Sequence, residues 1–193
     1  MSHIIPAEEF CELKTNFTLT HNRVTAVSGE MMLFRREYTS NIYAFESQIN
    51  LAQIGRSSYK KEEGGVWLGE KVLDFEEVKK RIRSAVLAYT YAITGELGAN
   101  TSRSLPLFTP LELVIILTKN PIPRPVHPFF KDYKETLAEL IKTYREEIGF
   151  VAYFPEGAFS LPEEDKIEKC KTWFKVFEDV ADRAVSLTEE VWK

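Results

Sequence analysis

The stretch DFEEVKKRIRSAVLAYTYAITGELG, residues 74–98, decides the fold class. Asp74 can cap the first turn of a helix, and Glu77 follows three residues later, at the spacing of a capping box. Apolar residues then recur at intervals of three and four, which places them on one helical face. Gly95 and Gly98 end the pattern. The sequence therefore predicts a long amphipathic helix with a buried stripe of Val78, Ile82, Val86, Tyr89 and Ile93.

Strand patterns flank this helix on both sides. Residues 42–51 alternate between apolar and polar side chains, and this period of two predicts a strand that ends before Gly55. Residues 111–118 are almost continuously apolar, which is typical of a central strand buried on both faces. The inward face of the first strand is predicted to be Tyr43, Phe45, Ile49 and Leu51.

Further elements are predicted towards the C-terminal side. Leu137 and Ile141 indicate a helix that starts near Tyr133, and residues 150–154 indicate a short strand. The order strand, long helix, strand, helix, strand, helix is that of a ferredoxin-like or related α+β sandwich. A last helix over residues 163–185 is predicted to bury Ile167, Cys170, Phe174, Phe177, Ala181 and Ala184.

The composition is that of an ordinary globular protein. The chain has 193 residues, 44% of them hydrophobic and 28% charged, which is enough to bury one core. No apolar run reaches the ~18 residues of a membrane span, and the first residues lack the basic and apolar regions of a signal peptide. Cys11 and Cys170 do not form a CxxC motif. These features predict a cytoplasmic protein with reduced thiols and no membrane partner.

Charge is distributed unevenly along the chain. The net charge is −4, which argues against a protein that binds nucleic acid freely by itself. Residues 1–131 hold sixteen Lys and Arg against fourteen Asp and Glu, whereas residues 132–193 hold nine against fifteen. Residues 14–61 hold seven basic and three acidic residues. Such a chain can bind a polyanion through one part and a partner through another, although an unevenly charged solvated surface explains the pattern equally well.

Familiar catalytic and cofactor motifs are missing from the sequence. His3, His21 and His127 have no carboxylate or cysteine at metal-ligand spacing, so no metal site is predicted. The motifs of nucleotide loops, serine hydrolases and zinc proteases are absent, so no cofactor is predicted. His21 near Arg23 leaves acid–base ribonuclease chemistry open. A histidine in a turn is more often a surface residue, and no catalytic residue is assigned.

Basic and polar residues on loops are the remaining functional signal. Residues 98–103 form a loop of small residues that ends in Arg103. A phosphate can approach such a loop closely, and a guanidinium can bind phosphate through two parallel hydrogen bonds. The same loop is also explained as a helix C-cap and turn with a solvated Arg103. The residues alone leave both interpretations open.

Three segments carry a more specific pattern. The first is VSGEMM at residues 27–32, with two arginines behind it, and the second is YAF through INLAQIGR at residues 43–56. The third is the long helix running into GANTSRSLP at residues 98–106. In this order and spacing the segments resemble the Cas-seven (DevR-type) backbone subunits of multi-subunit CRISPR effector complexes, within the RAMP superfamily. The resemblance covers roughly residues 24–128.

The resemblance implies a fold and a function. Members of this family have an RRM-like core, here expected over roughly residues 16–154 of a single domain, residues 1–193, with the C-terminal helix 163–185. They polymerise along CRISPR RNA, hold its backbone without sequence preference and leave the bases free for the target nucleic acid. The implied role is a non-catalytic subunit in antiviral defence, whose partners are CRISPR RNA, like subunits and other effector-complex subunits. The implied RNA-binding residues are Ser28, Arg35, Arg36, Arg56, Lys60, Lys61, Asn100 and Arg103.

Two alternative functions stay open at this point. One is a CRISPR-RNA-processing endoribonuclease of the same superfamily that uses His21, and the other is a protein-only scaffold without RNA binding. The loop of residues 56–65 is predicted to be poorly ordered without RNA, because it lacks apolar anchors. The C-terminal helix is predicted to pack on the sheet and to turn its acidic side away from RNA.

Overall fold

The computed structural model of the chain describes residues 5–6, 15–21, 33–39, 42–57, 69–94 and 109–192, and before residue 42 it describes the main chain only. The described residues form a mixed α+β structure. Its elements are, in order, β1 (Ile5–Pro6), β2 (Thr15–His21), β3 (Leu33–Thr39), β4 (Tyr43–Ala44), a 3-10 turn (Leu51–Gln53), α1 (Phe75–Thr94), β5 (Leu113–Thr118), α2 (Tyr133–Thr143), β6 (Ile148–Phe154), β7 (Ile167–Lys169) and α3 (Trp173–Trp192).

The chain divides into two compact units. The first comprises Met1–Gln48 with Val126–Tyr133, and the second comprises Ile49–Pro125 with Lys134–Lys193. The helices and strands confirm the mixed α+β class. The RRM-like arrangement and the single domain over residues 1–193 remain predictions. No helix in the described part of the chain is long and apolar enough to cross a bilayer.

The first unit contains two antiparallel strand pairs. β2 pairs with β3 along its whole length, from Thr15 opposite Thr39 to His21 opposite Leu33. β1 pairs with β4, with Ile5 opposite Ala44. Both pairs are separate two-stranded ladders within the described residues.

The second unit is built around a three-stranded sheet. β6 lies in the middle, antiparallel to β5 and parallel to β7. Its side chains are almost all buried, with Val151 and Ala152 fully enclosed. Burial of such apolar side chains is the main favourable term in folding, at roughly 1.5–3 kcal/mol for each large one. β6 is therefore the centre of this unit.

Helix α1 follows the sequence prediction closely. The Asp74 carboxylate accepts a hydrogen bond from the Glu77 main-chain N–H at 2.8 Å, so the predicted N-cap is confirmed. Val78, Ile82 and Val86 are buried in the core. Tyr89 and Ile93 are partly buried and pack against the same cluster. The predicted stripe therefore describes the buried face correctly.

Helix α3 packs on α1 and on the sheet, as predicted for the C-terminal helix. Its limits differ from the prediction, because residues 167–169 form β7 and the helix begins only at Trp173. The main chain there is bonded to β6, with the Cys170 N–H donating to the Tyr153 carbonyl at 2.9 Å. Phe174 is 50% exposed instead of buried. The buried residues of α3 are Val176, Phe177, Val180, Ala181, Ala184 and Thr188.

Two strand predictions were wrong in detail. The strand expected over residues 42–51 is reduced to Tyr43–Ala44. The Asn50 side chain accepts a hydrogen bond from the Ala52 N–H at 3.2 Å, and this local bond caps a 3-10 turn where the strand was expected to continue. The run at residues 111–118 does form β5, but within the described sheet β5 is an outer strand and only partly buried. The central place is taken by β6.

Candidate nucleic-acid interface

Arg56 lies shortly after the 3-10 turn, two residues before the segment 58–68. Its main chain forms an antiparallel bridge with Lys71. One residue on, the Ser57 N–H donates to the Glu70 carbonyl at 2.9 Å, and the Val72 N–H donates to the Gly55 carbonyl at 2.9 Å. These bonds join the two ends of the segment 58–68, which contains Lys60 and Lys61 and lies outside the described residues. We call residues 55–57 and 69–72 the hairpin base.

Two glycines give the hairpin base its close approach. Gly55 has φ +81°, and a Cβ there would lie 2.4 Å from the Val78 side chain of α1. A Cβ on Gly69 would lie 1.7 Å from the Ser57 carbonyl oxygen, which no small shift can accommodate. The glycine that was predicted to end a strand is therefore required for both its φ angle and its contact with α1.

The Arg56 side chain is held within the protein. Its Nη1 donates to the Gly69 carbonyl at 3.2 Å. Its guanidinium carbon lies 4.7 Å from the centroid of the Trp192 ring, at the end of α3. Its Nε is buried and has no hydrogen-bond partner among the described residues. Arg56 thus contacts both the hairpin base and the end of α3.

Lys71 joins the same arrangement from the opposite side of the hairpin base. Its Nζ lies 5.4 Å from the Trp192 ring centroid and donates to the Trp192 carbonyl. The Trp192 ring also contacts Phe75, at 5.9 Å between ring centroids. We call Arg56, Lys71 and Trp192 the Trp192 cluster. A cation near an aromatic face is attracted by the ring quadrupole, by about 0.5–1 kcal/mol when exposed and ~2 when desolvated.

The other predicted RNA-binding residues are described less fully. Arg35 and Arg36 lie on β3, opposite Leu19 and Thr18 of β2, and belong to the first unit. The structure therefore places them on a strand and Arg56 at the hairpin base. The remaining predicted positions lie outside the described residues: Ser28, Lys60, Lys61, Asn100 and Arg103.

The loop prediction for residues 56–65 is tested only at its start. Arg56 and Ser57, the first two residues of the predicted loop, are hydrogen-bonded into the hairpin base. The rest of the predicted loop lies outside the described residues. Sequence reasoning missed Lys71 and Trp192 altogether. The two are 121 residues apart, and no local pattern links them.

The basic side of α1 is largely paired with carboxylates. Lys79 bonds to Glu76 at 2.8 Å, which raises the pKa of the lysine, and Arg81 bonds to Glu77 at 2.9 Å. Arg83 forms an ion pair with Asp182 of α3. Exposed pairs of this kind contribute little stability, but their carboxylates partly neutralise side chains that could otherwise bind phosphate. This helix face is therefore a weaker candidate for RNA contact than the loops.

Groups capable of catalysis are restrained where they are described. His127 Nδ1 accepts the Phe129 N–H at 3.1 Å within a turn. Cys170 is buried, and burial followed by the nearby Asp179 charge raises the pKa of its thiol to about 12. His21 lies on β2 opposite Leu33, with only its main chain described. In the described ranges no group of three or more histidine, cysteine or acidic residues is placed to hold a metal ion.

Comparison with a family model gives a match over residues 1–138, to the family described as CRISPR-associated negative auto-regulator DevR/Csa2. This range includes β1 to β5 and ends within α2. Trp192 lies beyond it.

Curated proteins give matches over more of the chain. A protein of Methanocaldococcus jannaschii named CRISPR-associated protein Cas7/Cst2/DevR is 30% identical over 181 residues, which is 84% of this chain and 54% of the relative. One of the same name from Thermoproteus tenax is 29% identical over 194 residues, 92% of this chain and 56% of the relative. The CRISPR-associated aCascade subunit Cas7/Csa2 2 of Saccharolobus solfataricus is 32% identical over 115 residues, 57% of this chain and 33% of the relative. The chain spans about half the length of the first two relatives.

Proposed function

The chain belongs to the DevR/Csa2 family of CRISPR-associated proteins, and we propose that it is a non-catalytic, RNA-binding subunit of a CRISPR interference complex. The observation that carries the proposal is the extent of the family match. Residues 1–138 match, and they contain every position predicted to contact RNA, from Ser28 to Arg103. The Saccharolobus solfataricus relative is by its name an aCascade subunit, which supports a place beside other effector subunits.

The proposed ligand is the phosphate backbone of CRISPR RNA. Phosphate contacts fix the position of a nucleic acid without reading its sequence, so one protein can hold any spacer. Arginine suits this task because its planar fork can bind one phosphate through two hydrogen bonds. The predicted contact residues are basic or small and polar. Arg35 and Arg36 lie on β3, and the sequence predicts loops for most of the others.

The net charge favours binding by an assembly over binding by one copy. At −4 the chain as a whole is repelled by a polyanion, so a single copy binds weakly. Copies that sit side by side on one RNA raise each other's effective concentration, and their contacts then add up to stable binding. We therefore propose self-association along the RNA, with RRM-like cores over residues 16–154 as the repeating part. The acidic side of α3 is proposed to face away from the RNA.

The proposed function can be tested on the purified complex. The chain is expressed with CRISPR RNA and its neighbouring effector subunits, and the native mass of the purified complex is measured with its nucleic acid. We expect several copies of this chain per RNA. A complex that contains the chain but no RNA would support the protein-only scaffold instead.

A second assay separates the proposal from the nuclease alternative. The chain is incubated with labelled repeat RNA, and the products are resolved by length. We expect intact RNA. Cleavage that His21→Ala abolishes would establish the endoribonuclease and remove the non-catalytic role.

A further inference from the structure

We propose that Arg56 and Lys71 together form a site for one phosphate group beside the Trp192 ring. The inference deepens the proposed RNA binding and rests on it for the source of the phosphate, which is the backbone of a single-stranded RNA. Arg56 was predicted from its motif, whereas Lys71 enters because the fold places it opposite Arg56. All three residues of the Trp192 cluster lie in the described part of the chain.

The first step concerns the placement of the two cations. Arg56 and Lys71 are partners in an antiparallel bridge, and the side chains of such partners extend from the same face with their Cβ atoms ~5 Å apart. The Ser57 and Val72 N–H groups donate across the hairpin base at 2.9 Å on either side of this pair. Both cationic groups then lie beside one ring, at 4.7 and 5.4 Å from the Trp192 centroid. The fold therefore holds two positive charges at one place.

The second step concerns the balance of charge at this place. Like charges directly opposite each other destabilise a strand pair. Among the described residues, neither Arg56 nor Lys71 forms an ion pair with a carboxylate. Asp74 caps α1, and Glu190 pairs with Lys119 at 2.8 Å. The end of α3 contributes only about half a negative charge. The Trp192 cluster therefore keeps a net positive charge that a bound anion would balance.

The third step concerns hydrogen-bond donors. Arg56 uses one N–H of Nη1 for the Gly69 carbonyl at 3.2 Å, which leaves the second N–H of Nη1 and both of Nη2 unused among the described residues. Its Nε is buried and takes no part. Lys71 is exposed and uses one of its three N–H donors for the Trp192 carbonyl. Charged donors on both sides of the pair thus remain for a ligand.

The arrangement suits a phosphodiester. Such a group carries one negative charge on two unesterified oxygens, so one oxygen can accept from Arg56 and the other from Lys71. The Trp192 ring also contacts Phe75, at 5.9 Å between ring centroids, and is surrounded by protein groups instead of stacking on a base. Binding at this site is therefore expected to be independent of the RNA sequence.

The test measures binding of a single-stranded RNA by the full chain over a salt series. The double variant Arg56→Gln with Lys71→Gln is expected to lower the slope of log affinity against log salt by ~0.7, the contribution of one phosphate on a single strand. Lys71→Gln alone should weaken binding roughly 2- to 5-fold, and Lys71→Arg should restore it. The matched control is Lys142→Gln, which removes an exposed cation from α2 and should change neither quantity. If the double variant does not fold, the affinities of the two Lys71 variants decide.

A second readout follows the site without RNA. The indole N–H of Trp192 is observed by NMR, with Trp192→Phe to assign its signal, while inorganic phosphate is added and compared with chloride at equal ionic strength. We expect phosphate to shift the signal in the wild type and in Lys142→Gln, and to leave it in place in the double variant.

The outcomes separate failure of this site from failure of the proposed function. If the wild type binds RNA and the double variant keeps its affinity and its salt slope, the site is wrong and the proposed function stands. A slope that falls by ~1.4 would mean that the two cations bind separate phosphates, which overturns the shared site. If the wild type binds no RNA at low salt, the proposed function fails. A phosphate-dependent shift of the Trp192 signal would then retain the anion site, and the absence of a shift would remove it as well.

Discussion

Cys170 lies in the core with its Sγ 3.7 Å from an Asp179 carboxylate oxygen. Burial, and secondly the charge of Asp179, raise the pKa of the thiol from its ordinary 9.0 to about 12. The thiolate is the reactive form of cysteine, so the raised pKa leaves only a small fraction of this buried thiol reactive at neutral pH.

We predict that Cys170 reacts slowly with thiol reagents. In a Cys11→Ser variant, alkylation at pH 8 should be on the order of 1,000-fold slower than for an unperturbed cysteine, because three pKa units separate the two thiols. Mass spectrometry of the labelled chain measures the rate. Asp179→Asn should quicken it only modestly, since burial is the larger cause. Labelling at the rate of a free cysteine would show that the thiol is accessible and ionised.

Arg103 ends the loop of small residues at positions 98–103 and is one of the residues proposed to contact phosphate. Arg103→Ala is expected to weaken RNA binding equally for unrelated sequences and to reduce the salt slope by ~0.7. The melting temperature should stay nearly constant, because a side chain whose task is to bind phosphate contributes little to folding. Fluorescence anisotropy with two labelled RNAs provides the affinities.

A matched control for this variant is Lys142→Ala. It removes one exposed positive charge from α2 and should leave RNA affinity and salt slope unchanged. An Arg103→Ala protein that unfolds readily, yet binds RNA normally when folded, would make Arg103 a structural residue.

Residue-level prediction from sequence was limited by distance along the chain. Arg56 was identified because it sits in a motif, but its packing against Trp192 depends on a contact between residues 56 and 192. No periodic pattern carries that information. The sequence therefore predicted that Arg56 contacts RNA, whereas the fold partly encloses its side chain.

At the scale of elements, α1 is the clearest case of local information determining structure. Its cap and its buried stripe both follow from spacing within the helix itself. We predict that Asp74→Ala lowers the free energy of unfolding by about 1 kcal/mol, because the Glu77 N–H loses its acceptor. Urea unfolding measures the change. Asp74→Asn retains a capping oxygen and should cost only a few tenths of that amount, so equal losses in both variants would contradict a capping role.

Elements that depend on partners were predicted less well. Ile167 and Cys170 are spaced as on one face of a helix, yet residues 167–169 form β7. They pair with β6 as a parallel strand. β5 was expected at the centre of the sheet because it is apolar, but its position was decided by pairing with β6. The local spacing of apolar residues indicates which side chains will be buried. It does not indicate which strand they will meet.

At the scale of the whole molecule, charge is the property that bears on function. The basic excess lies within residues 1–131 and the acidic excess within residues 132–193. The family match covers residues 1–138, so the more basic part of the chain is also the part that is matched. This coincidence supports the proposed RNA binding by the first part of the chain.

The central claim is that the chain holds RNA by its phosphates without reading sequence. The most direct measurement is the affinity of the wild-type chain for two unrelated single-stranded RNAs of equal length, titrated from low to physiological salt. We predict affinities that agree within about 3-fold and fall together as salt rises, with a slope of ~0.7 for each phosphate contacted. A strong preference for one sequence, or no binding of either RNA at the lowest salt, would contradict it.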